Sequence, residues 1–351
     1  MNADPDRLAR GLRGHLNRFS HTVINVSDLD RALAFYEATF PVRRVCRIDG
    51  PAQAYPGLGI AHGRCRGWVL ESRAHVRPPG ALVAEFPARH LHLVEWLQPR
   101  PLGRPYAEAN HVGIYRQNSL VSDLDQAYRT VLDHGGRPYG EPSWITLSPD
   151  GFGVRVFAFR DPDGSTLEMI EAQAPAGGAY AGMMHHCNLN VRELALSYRF
   201  YREVIGLDLA YYLAPAAPQP PGNGALGDLL RRPDGTVHDG DMNFAATLLS
   251  LRSDTRSPID VLQWTLPGPY GEPYAEAHHL GISRVAFEVD DITAAHARLR
   301  ACGHAPVGEI ETWDMGEAGQ RRVVIFKDPD GIWLELVEQP AYAGERPPFD
   351  P

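Results

Sequence analysis

The chain has 351 residues, which is longer than a domain with a single hydrophobic core usually is and fits two domains of about 150 residues each. Its 44% hydrophobic and 22% charged residues are typical of a globular protein and exclude an intrinsically disordered chain. The formal net charge of −9 argues against a nucleic-acid-binding protein, which would need a basic surface. No apolar run approaches the roughly 20 residues of a membrane-spanning helix, so no membrane partner is expected.

The first residues and the cysteines indicate the cellular compartment. The segment MNADPDRLARGLRGHLNRF contains no apolar stretch of the kind that a secretory signal requires, so we expect a cytoplasmic protein. Cys46, Cys65, Cys187 and Cys302 are scattered and form no CxxC pair. This spacing argues against a zinc ribbon or a dithiol redox site, and we expect no disulfide.

The predicted elements begin with an alternating strand from His21 to Val26, followed by a helix that Asp28 is placed to cap. A second strand and helix begin near Arg116, with Asp123 at the corresponding cap position. Strand-like runs follow each helix, and the DPDG segments are turn signals that predict a tight hairpin before each closing strand. The pattern therefore predicts βαβββ modules.

The chain also contains an internal repeat. Residues 103–116 read GRPYAEANHVGIYR and residues 271–284 read GEPYAEAHHLGISR, with ten of these fourteen positions identical. The segments that begin at His21 and His186, and the two segments that contain DPDG, match in the same way. Such self-similarity indicates a duplicated structural unit. The sequence therefore predicts two homologous halves of two modules each.

The repeat also predicts the domain boundaries. The two homologous domains cover residues 17–173 and 183–340, and a linker of small residues at 174–182 joins them. An N-terminal extension at 1–16 and a C-terminal tail at 341–351 flank the two domains.

Three motifs recur in both halves: an FY pair in the first helix, a DPDG turn, and a glutamate seven residues after the first aspartate of that turn. With these motifs the chain resembles the vicinal oxygen chelate superfamily of glyoxalases, bleomycin resistance proteins and extradiol dioxygenases. The resemblance covers nearly all of the chain except the first 17 residues and the Pro-rich segment 214–224. It implies an α+β fold in which paired βαβββ modules form U-shaped, partly open mixed sheets with flanking helices. It also implies a divalent metal held by the first and last strands of each module.

The resemblance places four candidate site residues in each half. The candidate metal ligands are His21, His92 and Glu168 in the first half and His186, Asp260 and Glu335 in the second. Arg116 and Arg284 stand where many relatives have a histidine ligand. A guanidinium is always protonated and does not coordinate a metal, so the two arginines are predicted to bind substrate.

The sequence leaves the pairing of the modules open. Relatives build their sites either within one half or across exchanged modules. In the within-half arrangement, His21, His92 and Glu168 share one site. The exchanged arrangement puts Glu335 in that site and gives Glu168 to the other one.

Two further alternatives concern residues near the arginines. Arg116 and Arg284 could instead pack in an interface between domains. His111 and His279 lie five residues before them in the repeated segment. His111 would enter the site only if the strand began earlier or contained a bulge.

The first-half ligand set favours one chemistry. Two imidazoles and one carboxylate with open positions opposite suit ferrous iron and oxygen, with Mn²⁺, Zn²⁺ and Ni²⁺ as alternatives. We therefore predict a ferrous-dependent dioxygenase that acts on a chelating aromatic or polyketide-like small molecule with adjacent oxygens. The second-half ligand set would suit magnesium or manganese. Alternatively, it is a metal site that is losing its function. One alternative function is a metal-dependent isomerase, epimerase or lyase of the glyoxalase type. Another is a metal-free protein that binds a small molecule or confers resistance to it. The sequence does not decide whether the protein forms a homo-oligomer.

Overall fold

The computed structural model describes residues 11–40, 42–72, 90–172, 183–215, 217, 241–251 and 254–339. The predicted linker at 174–182 and the tail at 341–351 lie outside the described residues, as does most of the Pro-rich segment. The described chain folds into four modules that each begin with a strand and a helix and continue with further strands. The α+β fold predicted from the sequence is therefore confirmed.

The modules contain the following elements. Module 1 comprises β1 (Leu16–Asn25), α1 (Leu29–Thr39), β2 (Val42–Ile48), β3 (Gln53–Tyr55), a 3-10 turn (Pro56–Leu58), β4 (Ile60–Ser72) and β5 (His90–Gln98). Module 2 comprises β6 (Gly113–Val121), α2 (Leu124–Asp133), β7 (Arg137–Pro138), β8 (Ser143–Thr146), β9 (Gly153–Arg160) and β10 (Thr166–Glu171). Module 3 comprises β11 (Met183–Asn190), α3 (Leu194–Arg199) with a π-helical continuation (Phe200–Ile205), β12 (Asp208–Leu213), β13 (Asn243–Leu251) and β14 (Asp254–Leu266). Module 4 comprises β15 (Gly281–Val289), α4 (Ile292–Ala301), β16 (Glu311–Asp314), a 3-10 turn (Gly316–Ala318), β17 (Gln320–Lys327) and β18 (Trp333–Glu338).

The helices begin where the sequence predicts. Asp28 caps α1 and Asp123 caps α2, each by accepting a hydrogen bond from a backbone N–H of the first turn. Asp291 caps α4 in the same way. The apolar side of α1, which includes Leu33 and Tyr36, is buried against the core.

None of the helices in the described ranges is both long and apolar enough to cross a membrane.

Two nine-stranded sheets organise the four modules. Sheet I has the order β16-β17-β18-β15-β1-β5-β4-β2, with β3 paired to β4, and so joins module 4 to module 1. Sheet II has the order β12-β13-β14-β11-β6-β10-β9-β7, with β8 paired to β9, and joins module 3 to module 2. The opening strands form the two joints, because β1 pairs antiparallel with β15 and β11 pairs antiparallel with β6. Each sheet thus takes one module from each half, which is the exchanged arrangement.

The recurring FY and DPDG motifs hold together the two modules of one half. The hydroxyl of Tyr36 on α1 donates to Asp161 of the first DPDG turn at 3.0 Å. Tyr201 makes the same hydrogen bond to Asp328 of the second DPDG turn at 3.0 Å. Each of these aspartates also accepts backbone N–H groups from its own turn. The modules of one half are therefore linked by helix-to-turn contacts, whereas the sheets link modules of different halves.

The two copies of the repeated segment contact each other between the modules. The rings of Tyr106 and Tyr274 stack with centroids 4.1 Å apart, and each hydroxyl accepts the backbone N–H of the other tyrosine, at 2.9 and 3.2 Å. His111 stacks on Tyr106 and His279 stacks on Tyr274. Each of these histidines also contacts the backbone carbonyl of the next residue through Nδ1. His111 and His279 therefore belong to a structural ring stack.

Candidate active site

Each sheet carries a cavity that both of its modules line. Cavity I, of about 270 Å³, lies in sheet I and is lined by Ser20, His21, His92, Arg284, Trp313 and Glu335 among others. Cavity II, of about 380 Å³, lies in sheet II and is lined by Arg116, Leu120, Glu168, His186, Asp260 and Trp264 among others. All eight candidate residues from the sequence therefore line one of two cavities, four in each.

The within-half grouping of the ligands is wrong. Glu168 lies on β10 in sheet II, whereas His21 and His92 lie on β1 and β5 in sheet I. The second-half set is divided as well, because Glu335 on β18 lies beside His21 and not beside Asp260. The physical reason is that β1 pairs with β15, which brings β18 into the same sheet, while β10 pairs with β6.

Arg116 occupies a different cavity from the one predicted. The sequence placed it beside His21, but its side chain lines cavity II, and Arg284 takes the corresponding place in cavity I. Both arginines are buried and each pairs with a glutamate of its own cavity. Arg116 lies 3.2 Å from Glu168 and Arg284 lies 2.7 Å from Glu335. These pairs compensate guanidiniums that would otherwise be costly to bury.

A chain of hydrogen bonds orients His21 in cavity I. Arg18 forms a buried ion pair with Glu288 at 2.6 Å, and the Ser20 hydroxyl donates to the same carboxylate at 3.2 Å. Ser20 Oγ lies 3.0 Å from Nδ1 of His21. Because the single hydroxyl proton goes to the carboxylate, Nδ1 of His21 must be the donor to Ser20. In the neutral imidazole this leaves the lone pair on Nε2.

The lone pair of His21 faces a carboxylate oxygen. Nε2 of His21 lies 3.7 Å from Oε1 of Glu335, whose other oxygen, Oε2, accepts from Nε of Arg284 at 2.7 Å. Burial lowers the pKa of His21 well below its usual value, and His92 and Arg284 add to this effect. Two acceptors thus face each other, and a cation between them would satisfy both.

His92 stacks on His21. The ring centroids lie 3.7 Å apart and the planes differ by 16°. Burial, together with His90 and Arg284, also lowers the pKa of His92 well below its usual value, so both imidazoles are neutral. Nearly parallel rings do not aim their nitrogens at one point. Within the described ranges, no three His, Cys, Asp or Glu residues are placed to hold one metal ion as they stand.

The donor chemistry of cavity I nevertheless fits a divalent metal. Neutral imidazoles and a carboxylate are the ligands that such ions take, and two donors at about 2.1 Å from an ion lie about 3.0 to 3.4 Å apart. The separation of 3.7 Å between His21 and Glu335 exceeds this range only slightly. The hydrogen bond from Nδ1 to Ser20 is the kind of outer contact that fixes a histidine ligand. His92 would have to turn out of the ring stack to join them.

Cavity II has different polar chemistry. Asn188 accepts from Nε of Arg116 at 2.8 Å and donates to Oδ2 of Asp260. Burial raises the pKa of Asp260 to about 7, and burial also raises the pKa of Glu168. The predicted His186, whose Nε2 lies 3.9 Å from Asp260, and the neighbouring His185 both line the cavity, and their Nδ1 atoms lie 2.7 Å apart. A guanidinium and an amide thus engage both carboxylates, and this set does not fit a divalent metal.

Several residues of these cavities were not found by sequence reasoning. Ser20 and His185 precede the two histidines on β1 and β11, and irregular register at these points lets both neighbours line the cavity. Strict alternation along a strand would point them away. Asn188 and Glu288 were missed because each interacts with another strand, a relationship that periodicity does not reveal.

A comparison of the sequence with protein-family models identifies the family. The model described as the Glyoxalase/Bleomycin resistance protein/Dioxygenase superfamily matches residues 18–169 and again residues 183–336. The chain belongs to this superfamily. The two matches coincide with the two copies of the repeat, so the glyoxalase-like unit is present twice.

Similar proteins in the superfamily have different named activities. A lactoylglutathione lyase, GLX1 of Arabidopsis thaliana, is 24% identical over 335 residues, covering 93% of this chain and 94% of that protein. A 2-epi-5-epi-valiolone epimerase of an Actinomyces species is 31% identical over 166 residues, covering 46% of this chain and 81% of that protein. The crystal structure of glyoxalase I from Zea mays matches with a TM-score of 0.57 at 16% identity, covering 92% of each chain. This last likeness concerns the fold.

Proposed function

We propose that the chain is a divalent-metal-dependent enzyme whose reaction takes place in cavity I. The observation that carries the proposal is the pair of acceptors formed by Nε2 of His21 and Oε1 of Glu335 at 3.7 Å, beside the neutral imidazole of His92. His21, His92 and Glu335 would hold the ion. Two imidazoles and one carboxylate leave coordination positions open, which suits ferrous iron and an oxygenase acting on a small molecule that chelates through adjacent oxygens.

The residues of cavity I have separate tasks in this proposal. A bound ion supplies a Lewis acid that polarises a substrate oxygen. Ser20 holds His21 with Nε2 toward Glu335, so the ligand is oriented before substrate arrives. The arginine keeps one oxygen of Glu335 occupied and thus fixes which oxygen remains available.

Arg284 is also the group that recognises the substrate. The side chain is buried, its Nη1 has no hydrogen-bond partner among the described residues, and it lines cavity I. Its guanidinium lies 5.7 Å from the ring centre of Trp313. An unpaired N–H of a buried guanidinium is costly unless an acceptor meets it. An anionic substrate oxygen, such as a carboxylate, phenolate or enolate, provides that acceptor.

A second candidate is a glyoxalase-type isomerase or epimerase. The specific observation in its favour is the similarity over 93% of this chain to a protein named as a lactoylglutathione lyase. Such a reaction moves a proton while a bound ion polarises the substrate. Arg284 counts against it, because the resemblance to the family implies a histidine ligand at this position.

Metal analysis and isotope exchange together test the proposal. Protein purified without oxygen should contain one divalent ion per chain, and the His92→Ala variant should lose it during dialysis against a chelator. A panel of catechols and 2-oxo acids should then reveal dioxygen consumption that requires iron. If deuterium from heavy water enters a substrate without dioxygen consumption, the isomerase candidate is correct. If wild type and His92→Ala both lack metal after reconstitution, the metal-dependent proposal is wrong.

A further inference from the structure

Cavity II has the dimensions and walls of a site for an apolar ligand. Its volume of about 380 Å³ exceeds the 270 Å³ of cavity I. Ile145 and Val156 of module 2 and Phe244, Leu262 and Trp264 of module 3 contribute to its walls. Ligand pockets are typically lined by such side chains with only a few polar groups. The cavity therefore suits a molecule with an aromatic or alicyclic body.

Two asparagines belong to a buried polar cluster beside cavity II, which consists of Arg116, Asn118, Glu168, Asn188 and Asp260. Asn118 on β6 and Asn188 on β11 occupy the positions that Ala286 and Val23 hold on β15 and β1, two residues after the arginine and the histidine, respectively. All four side chains are buried. The duplicated modules therefore present different chemistry at equivalent points, apolar in sheet I and amide in sheet II.

The amides engage the charged groups of cavity II. Oδ1 of Asn188 accepts from Nε of Arg116 at 2.8 Å and from Nδ2 of Asn118 at 2.5 Å. Its amide nitrogen donates to Oδ2 of Asp260, while Nη1 of Arg116 lies 3.2 Å from Glu168. A divalent ion would have to displace the amide N–H of Asn188 from Oδ2 of Asp260, the oxygen that faces Nε2 of His186. These contacts hold the polar cluster together without a metal.

Two buried acceptors of this polar cluster, Oδ1 of Asn118 and Oδ1 of Asp260, have no hydrogen-bond partner in the described part of the chain. Burial raises the pKa of Asp260 to about 7, and Arg116 is already paired with Glu168, so ionisation of Asp260 creates a buried charge without a directly paired guanidinium. Burying such a charge is unfavourable unless a donor or a cation meets it.

We propose that cavity II binds, without a metal, an apolar molecule that carries a protonated amine. The ammonium group donates to Oδ1 of Asp260 and neutralises its charge, while the apolar body lies between Leu120, Phe244 and Trp264. The proposal concerns the other sheet and is independent of the reaction assigned to cavity I. It gives the second of the two cavities a binding function.

Calorimetric titration with 1-naphthylmethylamine and 1-naphthoate tests the proposal. The two probes share a ring system and differ in charge. The full chain, kept in a chelator, should bind one amine per chain and bind naphthoate at least about tenfold more weakly. Asp260→Asn keeps the shape of the side chain and should lower the amine affinity by about tenfold or more. Leu120→Trp fills the cavity without changing the polar cluster beside it, and it should abolish binding.

A control in the other sheet gives the comparison. His92 is the equivalent of Asp260 in cavity I, so His92→Gln should leave the amine affinity unchanged. Thermal unfolding shows whether each variant is folded, and Leu120→Trp serves as the test if Asp260→Asn is not. Equal affinity for the two probes, unchanged amine affinity in both cavity II variants, or loss of binding in the chelator would each overturn the proposal.

Discussion

Nε2 of His21 and Oε1 of Glu335 lie 3.7 Å apart, although the two residues belong to the first and the last module of the chain. Their proximity follows from the antiparallel pairing of β1 with β15, the strand that also pairs with β18. The site proposed in cavity I therefore depends on the exchange of modules between the two halves.

The two glutamates after the DPDG turns should differ in their effect on metal binding. Glu335→Gln removes a proposed ligand in cavity I and should lower metal affinity by about a hundredfold or more, since even outer-shell changes cost ten- to a hundredfold. Glu168→Gln is the matched change in cavity II and should leave the ion in place. Metal content after dialysis against a graded series of chelators measures both. Loss of metal from Glu168→Gln alone would instead support the within-half grouping of His21, His92 and Glu168.

The two arginines should differ in their effect on substrate. Arg284→Ala removes the guanidinium that meets the anionic substrate, so it should weaken the binding of that substrate while the divalent ion stays bound through His21, His92 and Glu335. Loss of one charge-assisted hydrogen bond predicts a rise in KM of about ten- to a hundredfold. Arg116→Ala is the matched control in cavity II and should leave KM unchanged. An unchanged KM in Arg284→Ala would contradict the role in substrate binding assigned to this arginine.

Ser20 should act as a positioning residue for His21. Ser20→Ala removes the acceptor of the Nδ1 proton, and metal affinity should fall by about ten- to a hundredfold without loss of the fold. Thr22→Ala is a suitable control, because Thr22 donates to Gln117 at 2.9 Å and does not line cavity I. Titration with Co²⁺, followed by its visible absorption, reports both affinity and ligand geometry. An unchanged Co²⁺ spectrum and affinity in Ser20→Ala would refute the positioning role.

The buried aspartate of the second DPDG turn should make stability depend on pH. Burial raises the pKa of Asp328 from 3.8 to about 7, so the folded chain retains a proton that the unfolded chain releases. Its contribution to stability is therefore present below about pH 4 and is lost as the pH rises to about 7. Relative to Asp328→Asn, the free energy of unfolding of the wild type should fall across that range. Urea unfolding at several pH values measures the difference.

A second aspartate gives the comparison for this measurement. Burial raises the pKa of Asp161 in the first DPDG turn to about 6, so Asp161→Asn should show the same sign with the change complete about one unit earlier. A wild type that gains stability relative to both variants between pH 4 and 7 would show that these carboxyls are ionised in the folded chain.

The sequence alone determined the modules and their local structure. The repeat around residues 103–116, the caps Asp28 and Asp123, and the DPDG turns are encoded by neighbouring residues, because caps and turns depend on short-range hydrogen bonds. The same local patterns identified the strands on which the candidate ligands lie. All eight candidate residues line a cavity for this reason, since alternation along a strand fixes the face on which a side chain lies.

Only the tertiary structure decided which of these residues meet. The opening strands β1 and β11 carry similar patterns, so periodicity does not show whether β1 pairs with β15 or β6. Packing of all four modules makes that choice, and it places Glu335 instead of Glu168 beside His21. The different chemistry of the two cavities likewise depends on contacts between strands that are distant in the chain. Asn188 meets Arg116 and Asp260 only because β11 lies between β6 and β14, a relationship that arises from the folding of the whole chain.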